Sequence, residues 1–373
     1  MFESLVEIRK HLHQNPELSE QEVNTAEFIE KQIIPLKPDS IVKIGYSRIF
    51  IFDSKNRGLN IAFRADMDAL PIEEKNTIAH ASTIKGVGHL CGHDGHMSIL
   101  MGFAREMAKN PPKKGKVILV FQSAEETGQG AKQLVESEAF QKLNIDYIFG
   151  LHNMPGFELG QVLLRKGGFA SASRGMIVQL DGKTSHAGKP EKGINPALAV
   201  AQITQELNQL INQKDYYKSL TLLTFIYIKL GEVAFGTSAG HAEMGFTLRS
   251  FENADMELLV EDAERIIYQT AKKYQLKTGV SYTEEFPGTI STEDAFNRML
   301  DAALKLKMPI FELEEPSRWS EDFGNYSTIA KTGFFGLGSG IEQPELHHPD
   351  YDFPDEIIEK GVSIFLKILQ SFQ

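Results

Sequence analysis

Apolar residues recur at helical spacing in two stretches near the N-terminus, residues 3–13 (Leu5, Ile8, Leu12) and 20–33 (Val23, Ala26, Phe28, Ile29), with Asn15-Pro16 between them. Strand-like runs rich in β-branched and aromatic residues follow at 59–64, 117–122 and 147–151. Residues 98–107 and 131–143, lying between those runs, have helical character. Strand–helix alternation of this kind predicts an α/β fold with a mostly parallel sheet covered by helices. Functional residues of such sheets gather where strands end and loops begin.

Near Gly167-Gly168 the pattern changes. A strand at 175–180 precedes a helix at 196–210, strands at 220–229 and 242–249, a long amphipathic helix at 256–274 and a strand at 280–284. That β-α-β-β-α-β order is a ferredoxin-like unit complete in itself. After Pro287-Gly288 the first pattern resumes, with a strand at 334–337 and a closing helix at 356–369. The expected organisation is a discontinuous α/β domain, 1–170 and 287–373, interrupted by an inserted unit at 171–286.

Composition narrows the function classes. A chain of 373 residues, 42% hydrophobic and 24% charged, is long enough for two domains with substantial cores. A net charge of −11 supplies no basic footprint for a phosphate backbone, so no nucleic-acid partner is expected. The densest basic cluster, Lys113, Lys114 and Lys116 after Pro111-Pro112, reads as a solvated turn. One cysteine excludes an internal disulfide. The first ten residues alternate charge with apolar side chains, unlike a signal peptide or anchor. No stretch approaches the roughly 18 apolar residues of a membrane span, so a cytoplasmic protein without membrane contact is expected.

The lone cysteine stands in the richest chemical segment, Gly86-Val-Gly-His-Leu-Cys-Gly-His-Asp-Gly-His-Met97. His89, Cys91, His93, Asp94 and His96 fall within eight positions, among glycines that let a thiolate and an imidazole turn toward one cation. Four other segments share its chemistry: Arg-Ala-Asp-Met-Asp-Ala-Leu-Pro at 64–71, Phe-Gln-Ser-Ala-Glu-Glu-Thr-Gly at 121–128, Leu-His-Asn-Met-Pro at 151–155, and the loop 345–355 containing His347 and His348. Each alone has an ordinary reading: adjacent glutamates are usually surface charge, and strand-end aspartates often cap turns. Together, Cys, His and carboxylate are the ligand set of zinc-type ions. Adjacent glutamates allow one to ligate while its neighbour stays free as a base beside a metal-activated water.

In this order the five segments resemble the aminoacylase/carboxypeptidase-like family of dinuclear metal amidohydrolases. The resemblance is to the branch of hippurate hydrolases, auxin-conjugate hydrolases and N-acetyldiaminopimelate deacetylases. Two further segments share it, Ile8-Arg-Lys-His-Leu-His-Gln-Asn-Pro-Glu-Leu18 and Ser185-His-Ala-Gly-Lys-Pro190, so it covers nearly the whole chain. It implies two divalent ions per subunit held by Cys91, His93, Glu126, His152 and His347. It also implies Glu125 as the general base toward a metal-bridging water, and Asp68 as the residue orienting a ligand. His186 would reach the site to stabilise the oxyanion, often across a dimer. The inserted unit would serve as lid and as the surface of a homodimer or higher homo-oligomer. The family pattern Leu-His-x-Pro, here Leu346-His347-His348-Pro349, favours His347 over its neighbour, although spacing does not separate them.

The implied activity is hydrolysis of the amide bond of N-acyl amino acids or related small amides. A dipeptidase or carboxypeptidase using the same site is the alternative. A non-catalytic relative is expected to lack a ligand or Glu125, and none is missing. A thiolate suits zinc or nickel, while carboxylates also suit manganese or cobalt, so the ion is left open. His89 and His96 are expected as structural hydrogen-bonders, His11 and His13 as helix-end or interface residues, and His80 and His241 at the surface. Two positions depart from the wider family. Where it carries Asn-Val-Ile-Pro thirteen residues before an arginine, this chain has Gly236-Thr-Ser-Ala before Arg249, so Arg249 would hold a substrate carboxylate without the asparagine. Arg174 stands where the branch often has an acidic residue.

Overall fold

The computed structural model describes residues 4–212 and 216–372. Glu3, where the first predicted helix begins, lies outside them. The described chain divides into two compact units. One runs to Phe169 and includes Thr289–Pro316 and Glu321 onward; the other is Ala170–Gly288 with Ser317–Ser320.

The first unit opens with helices α1 (Leu5–Gln14) and α2 (Val23–Ile33). Strands β1 (Ser40–Ile44), β2 (Ser47–Asp53) and β3 (Asn60–Asp66) follow, then helix α3 (His93–Lys109) and strand β4 (Lys116–Gln122). Next come α4 (Gly130–Glu136), α5 (Glu138–Gln141), β5 (Tyr147–Pro155), β6 (Val162–Leu164) and β7 (Gly167–Ala170). Within the second unit lie β8 (Ala172–Asp181), β9 (Ser185–His186), α6 (Ala197–Leu210), β10 (Thr221–Leu230), β11 (Thr237–Ser238), β12 (His241–Ser250), α7 (Asn253–Lys273) and β13 (Lys277–Phe286). The first unit then closes with β14 (Thr289–Ser291), α8 (Glu293–Lys305), β15 (Ile310–Glu312), β16 (Lys331–Gly340) and α9 (Ile358–Gln370).

Eight strands of the first unit form one sheet in the order β1-β2-β4-β3-β5-β16-β6-β15. Its centre is parallel, β3 pairing with both β4 and β5 and β16 with β5; β1, β2 and β6 join antiparallel. The central strands are apolar on both faces because helices cover both, which is why β4 reads Val-Ile-Leu-Val-Phe without alternation. Helix α3 is buried along nearly its whole length (Met97, Ile99, Leu100, Met101, Phe103, Ala104), and α9 packs Ile364, Phe365 and Ile368 into the same core.

In the second unit four antiparallel strands take the order β10-β12-β8-β13. Alternate residues of β8 (Met176, Val178, Leu180) meet Ile203 and Leu207 of α6 and Leu259, Ala263 and Ile267 of α7 in a core of its own. Strands β9 and β11 form a separate pair.

Three local readings of the sequence are corrected. The helix expected at 131–143 breaks at Ser137, whose backbone is extended (φ −74°, ψ 125°), leaving two short helices. The helix expected from 98 starts at His93, so the cysteine-containing segment leads directly into it. Strands β1 and β2 precede the first one expected.

Candidate metal centre

The segments after β3 and β4, the interior of β5, the loop after β16 and the start of α3, all in the first unit, supply the cluster. Strand β3 carries Arg64 and Asp66 on one face by its two-residue period, and Asp68 follows just beyond its end. Gly92 adopts φ +95°, where a Cβ would run into the Asn153 side chain; only glycine makes this entry to α3 without strain. His93 therefore becomes the first residue of α3, and His96 follows one turn later. His152 sits inside β5, opposite Gly336 of β16.

Glu125 and Glu126 stand in a tight turn after β4. Ala124 holds φ +53°, a left-handed conformation uncommon outside glycine. Its N–H donates to Glu22 Oε1 (2.7 Å), Ser123 N–H donates to Ser47 Oγ (3.0 Å), and Glu126 N–H donates to Asp68 Oδ2 (3.0 Å). His347 is left-handed as well (φ +67°), and its N–H donates to Leu90 O at 2.8 Å, beside Cys91. Its Nε2 lies 3.7 Å from Glu126 Oε2, whereas His348 is turned to Asp350.

Ligating atoms of Cys91, His93 and His152 lie within 4.8 Å of one another, as do those of Cys91, Glu126 and His347, and of His93, Glu125 and Glu126. Cys91 Sγ is 3.5 Å from His152 Nε2. The His93 ring is fixed from behind: Nδ1–H donates to Asp68 O at 2.9 Å, with Asp68 Oδ1 3.5 Å away. Its Nε2 points at Glu126 Oε1 (3.7 Å), Asp66 Oδ2 (3.8 Å) and Glu125 Oε2 (4.0 Å). Neither His93 Nε2 nor Glu126 Oε1 has a hydrogen-bond partner, though both are buried. Such atoms are costly unless something else satisfies them. A divalent cation among these nitrogen, sulfur and oxygen donors would do so, and the donor set fits one.

The charges point the same way. Burial, with Glu126 and Glu125 nearby, pushes the Cys91 thiol well up; burial also lifts Glu126 to about 7. Burial alone would lower His93, but Asp66, Asp68 and Glu126 raise it to about 10. Protons on these groups offset a local excess of negative charge that bound cations would offset instead. Glu125 is pushed well above the ordinary carboxylate range by burial and by Glu321, Glu126 and Asp322.

Several neighbours escaped the sequence reading. Arg64 is fully buried, with Nε on Gln122 (2.8 Å), Nη1 on Asp66 (2.6 Å) and Nη2 on Glu321 and Asp322 (2.9 Å each). Asp322 N–H in turn donates to Glu125 Oε1 at 3.3 Å. The visible signal was charge at alternate positions of an otherwise apolar strand. Glu321 and Asp322 sit in no motif, and nothing local announces them.

The histidines sort partly as expected. His96 is hydrogen-bonded on both sides, to Asp66 (2.7 Å) and Asn153 (2.6 Å). His89 is not a hydrogen-bonder: both ring nitrogens are buried without partners, and burial holds it neutral with its pKa down to about 4. His13 lies in the last turn of α1, as expected, and is buried there between Asp94 (2.9 Å) and Glu74 (3.1 Å). His80, expected at the surface, is only partly exposed and meets Asp352 at 3.1 Å. His241 is exposed, on Asp181.

His186 and Arg249 belong to the second unit. His186 is exposed on β9, its Nδ1 accepting Gly188 N–H at 3.0 Å. Arg249 Nη1 donates to Arg318 O and Ser320 Oγ, each at 2.8 Å.

Residues 62–371 match the model of peptidase family M20/M25/M40. The N-acetyl-L-cysteine deacetylase of Bacillus subtilis (strain 168) is 32% identical over 367 residues, covering 97% of this chain and 86% of its own. A dinuclear metal-binding peptidase of the M20 family from Bacillus subtilis has a solved structure similar at a TM-score of 0.83 and 26% identity, over 98% of this chain and 96% of that one. An aminobenzoyl-glutamate utilization protein from Klebsiella pneumoniae shares the fold (TM-score 0.75, 18% identity, 99% and 96% of the two chains).

Proposed function

The chain belongs to peptidase family M20/M25/M40 and is a metal-binding hydrolase of amide bonds, and from that premise we propose that it is a deacylase of N-acyl amino acids. Cys91, His93, Glu126, His152 and His347 would hold two divalent ions. Bound there, the ions supply Lewis-acid polarisation of the acyl oxygen and make a water acidic enough to lose its proton near neutral pH.

The observation that carries this reading is the difference in surroundings between the adjacent glutamates. Glu126 turns toward His93 and His347, while Glu125 reaches the Asp322 amide. Glu125 takes the proton from the attacking water and delivers it to the departing amine nitrogen. Asp68 holds the His93 ring and the Glu126 amide at once. In His186, Nδ1 is an acceptor, so Nε2 carries the proton and can donate to a developing oxyanion. Arg249 is assigned to the substrate carboxylate.

The second unit is assigned the roles of lid and homodimer surface. Supporting the latter, β10 is an edge strand with Ile226, Ile228 and Leu230 exposed, and Val233 and Phe235 beyond it are almost wholly exposed. No described helix is long and apolar enough to cross a membrane, and the cytoplasm is the proposed location.

Turnover of acetyl, benzoyl and aminoacyl derivatives of one amino acid, with N-acetyl-L-cysteine and N-acetyldiaminopimelate included, tests the substrate class. Cleavage of the aminoacyl compounds alone would replace the deacylase by a dipeptidase. Glu125→Ala is expected to keep its metal and lose hydrolysis; wild-type turnover in that variant would end the mechanism. Elemental analysis of protein purified without added metal identifies the ion.

A further inference from the structure

Glu22 opens α2 as its N-cap, yet its side chain makes no capping bond and is fully buried. Oε1 accepts the Ala124 N–H at 2.7 Å, and Oε2 has no hydrogen-bond partner. Burial and Asp68 push its pKa up to about 7, against the pull of nearby backbone amides. A half-satisfied buried carboxylate weakens a fold; a neutral, well-packed side chain would serve stability better.

Its contact explains its presence. Ala124 is the non-glycine residue in the left-handed region immediately before the two adjacent glutamates. That conformation costs on the order of 1–3 kcal/mol and persists only where the surroundings over-determine it. The Ala124 carbonyl takes the Gly130 N–H at 2.9 Å, while its N–H is held by Glu22. Turning Ala124 to an ordinary backbone region would swing both following side chains.

We infer that Glu22 is a positioning residue, whose carboxylate locks the strained Ala124 backbone and thereby aims Glu125 and Glu126. The inference rests on the reading of Glu125 as base and Glu126 as ligand. It assigns a task to Glu22 that the chemistry of the centre leaves unexplained.

Glu22→Asp, one methylene too short to reach Ala124, and Glu22→Leu test it in the full-length, metal-loaded protein. With N-acetyl-L-cysteine as substrate, kcat is expected to fall on the order of 10- to 100-fold with KM little changed. Glu22→Gln, which keeps a carbonyl acceptor, retains most of the activity. Amide hydrogen exchange at 124–126 quickens in the Asp and Leu variants and not in the Gln variant. Wild-type kcat and exchange in Glu22→Asp would overturn the inference, as would lost turnover with unchanged exchange in the turn. If Glu22→Leu does not fold, Glu22→Asp, which preserves the charge, decides. A Glu125→Gln control that kept full turnover would remove the base assignment alone, because the exchange measurement still reports whether Glu22 holds the turn.

Discussion

Three residues set the backbone geometry of the centre: Gly92, Ala124 and His347 all have positive φ. At Gly92 the requirement is doubled, because Asn153 is fixed by His96 and by Tyr351 (2.5 Å) and cannot yield to a Cβ. Gly92→Ala is expected to lower stability by about 1–3 kcal/mol and to reduce metal content, read by urea unfolding and elemental analysis. An unchanged midpoint would show that the turn relaxes freely. Cys91→Ser replaces a soft donor by a poor one, and metal affinity should fall together with activity in a titration of stripped protein. The chemistry of Cys91, His93 and the adjacent glutamates was legible because unusual residue types sat at short spacing. Glu22 and Glu321 were not, since a carboxylate's burial depends on a chain segment a hundred or more residues away.

At the scale of elements, α1 is tied to α3 by charge as much as by packing. Arg9 bonds Asp352 (2.6 Å) and Asp355 (2.8 Å) and lies 3.4 Å from Asp94, while His13 joins Asp94 to Glu74. Burial alone would lower the His13 pKa, but Asp94 and Glu74 raise it to about 9. Its unfolded value is near 6.5, so protonated His13 stabilises the fold fully below that pH. The contribution, up to about 3 kcal/mol, is lost as pH rises through about 9. The melting temperature should fall between pH 7 and pH 9.5, and His13→Gln should flatten that slope. A parallel slope in the variant would assign the effect to other groups. Long periodic elements such as α7 and the alternating β8 were readable from pattern. The break at Ser137 was not, because an extended serine between two helical stretches leaves hydrophobic spacing intact.

At the scale of the whole molecule, removing the metal leaves buried negative charge that protons must offset instead. Chelation is expected to abolish hydrolysis and lower the melting temperature, since an ion at a hundred times its Kd contributes about 2.7 kcal/mol to the folded state. Restoring zinc, manganese, nickel and cobalt one at a time ranks the ions; an unmoved melting temperature would argue that none is bound. Ile228→Lys with Phe235→Asp should convert the proposed dimer to a monomer in sedimentation without altering the circular dichroism. A wild-type mass in that variant would place any interface elsewhere.

Strand β16 hydrogen-bonds between β5 and β6, yet those neighbours are complete in the chain by Leu164 and β16 begins only at Lys331. During synthesis the first unit therefore waits with a parallel edge open while the intervening unit is made. At about 5–20 residues per second that wait is on the order of ten to forty seconds. An unpaired β5 is an adhesive edge for that time, and a nascent chain truncated after Pro155 but before Lys331 keeps it permanently. Ribosome pausing or premature termination in the middle of this message should thus yield aggregation-prone fragments, while loss of the last helix alone leaves the edge sealed.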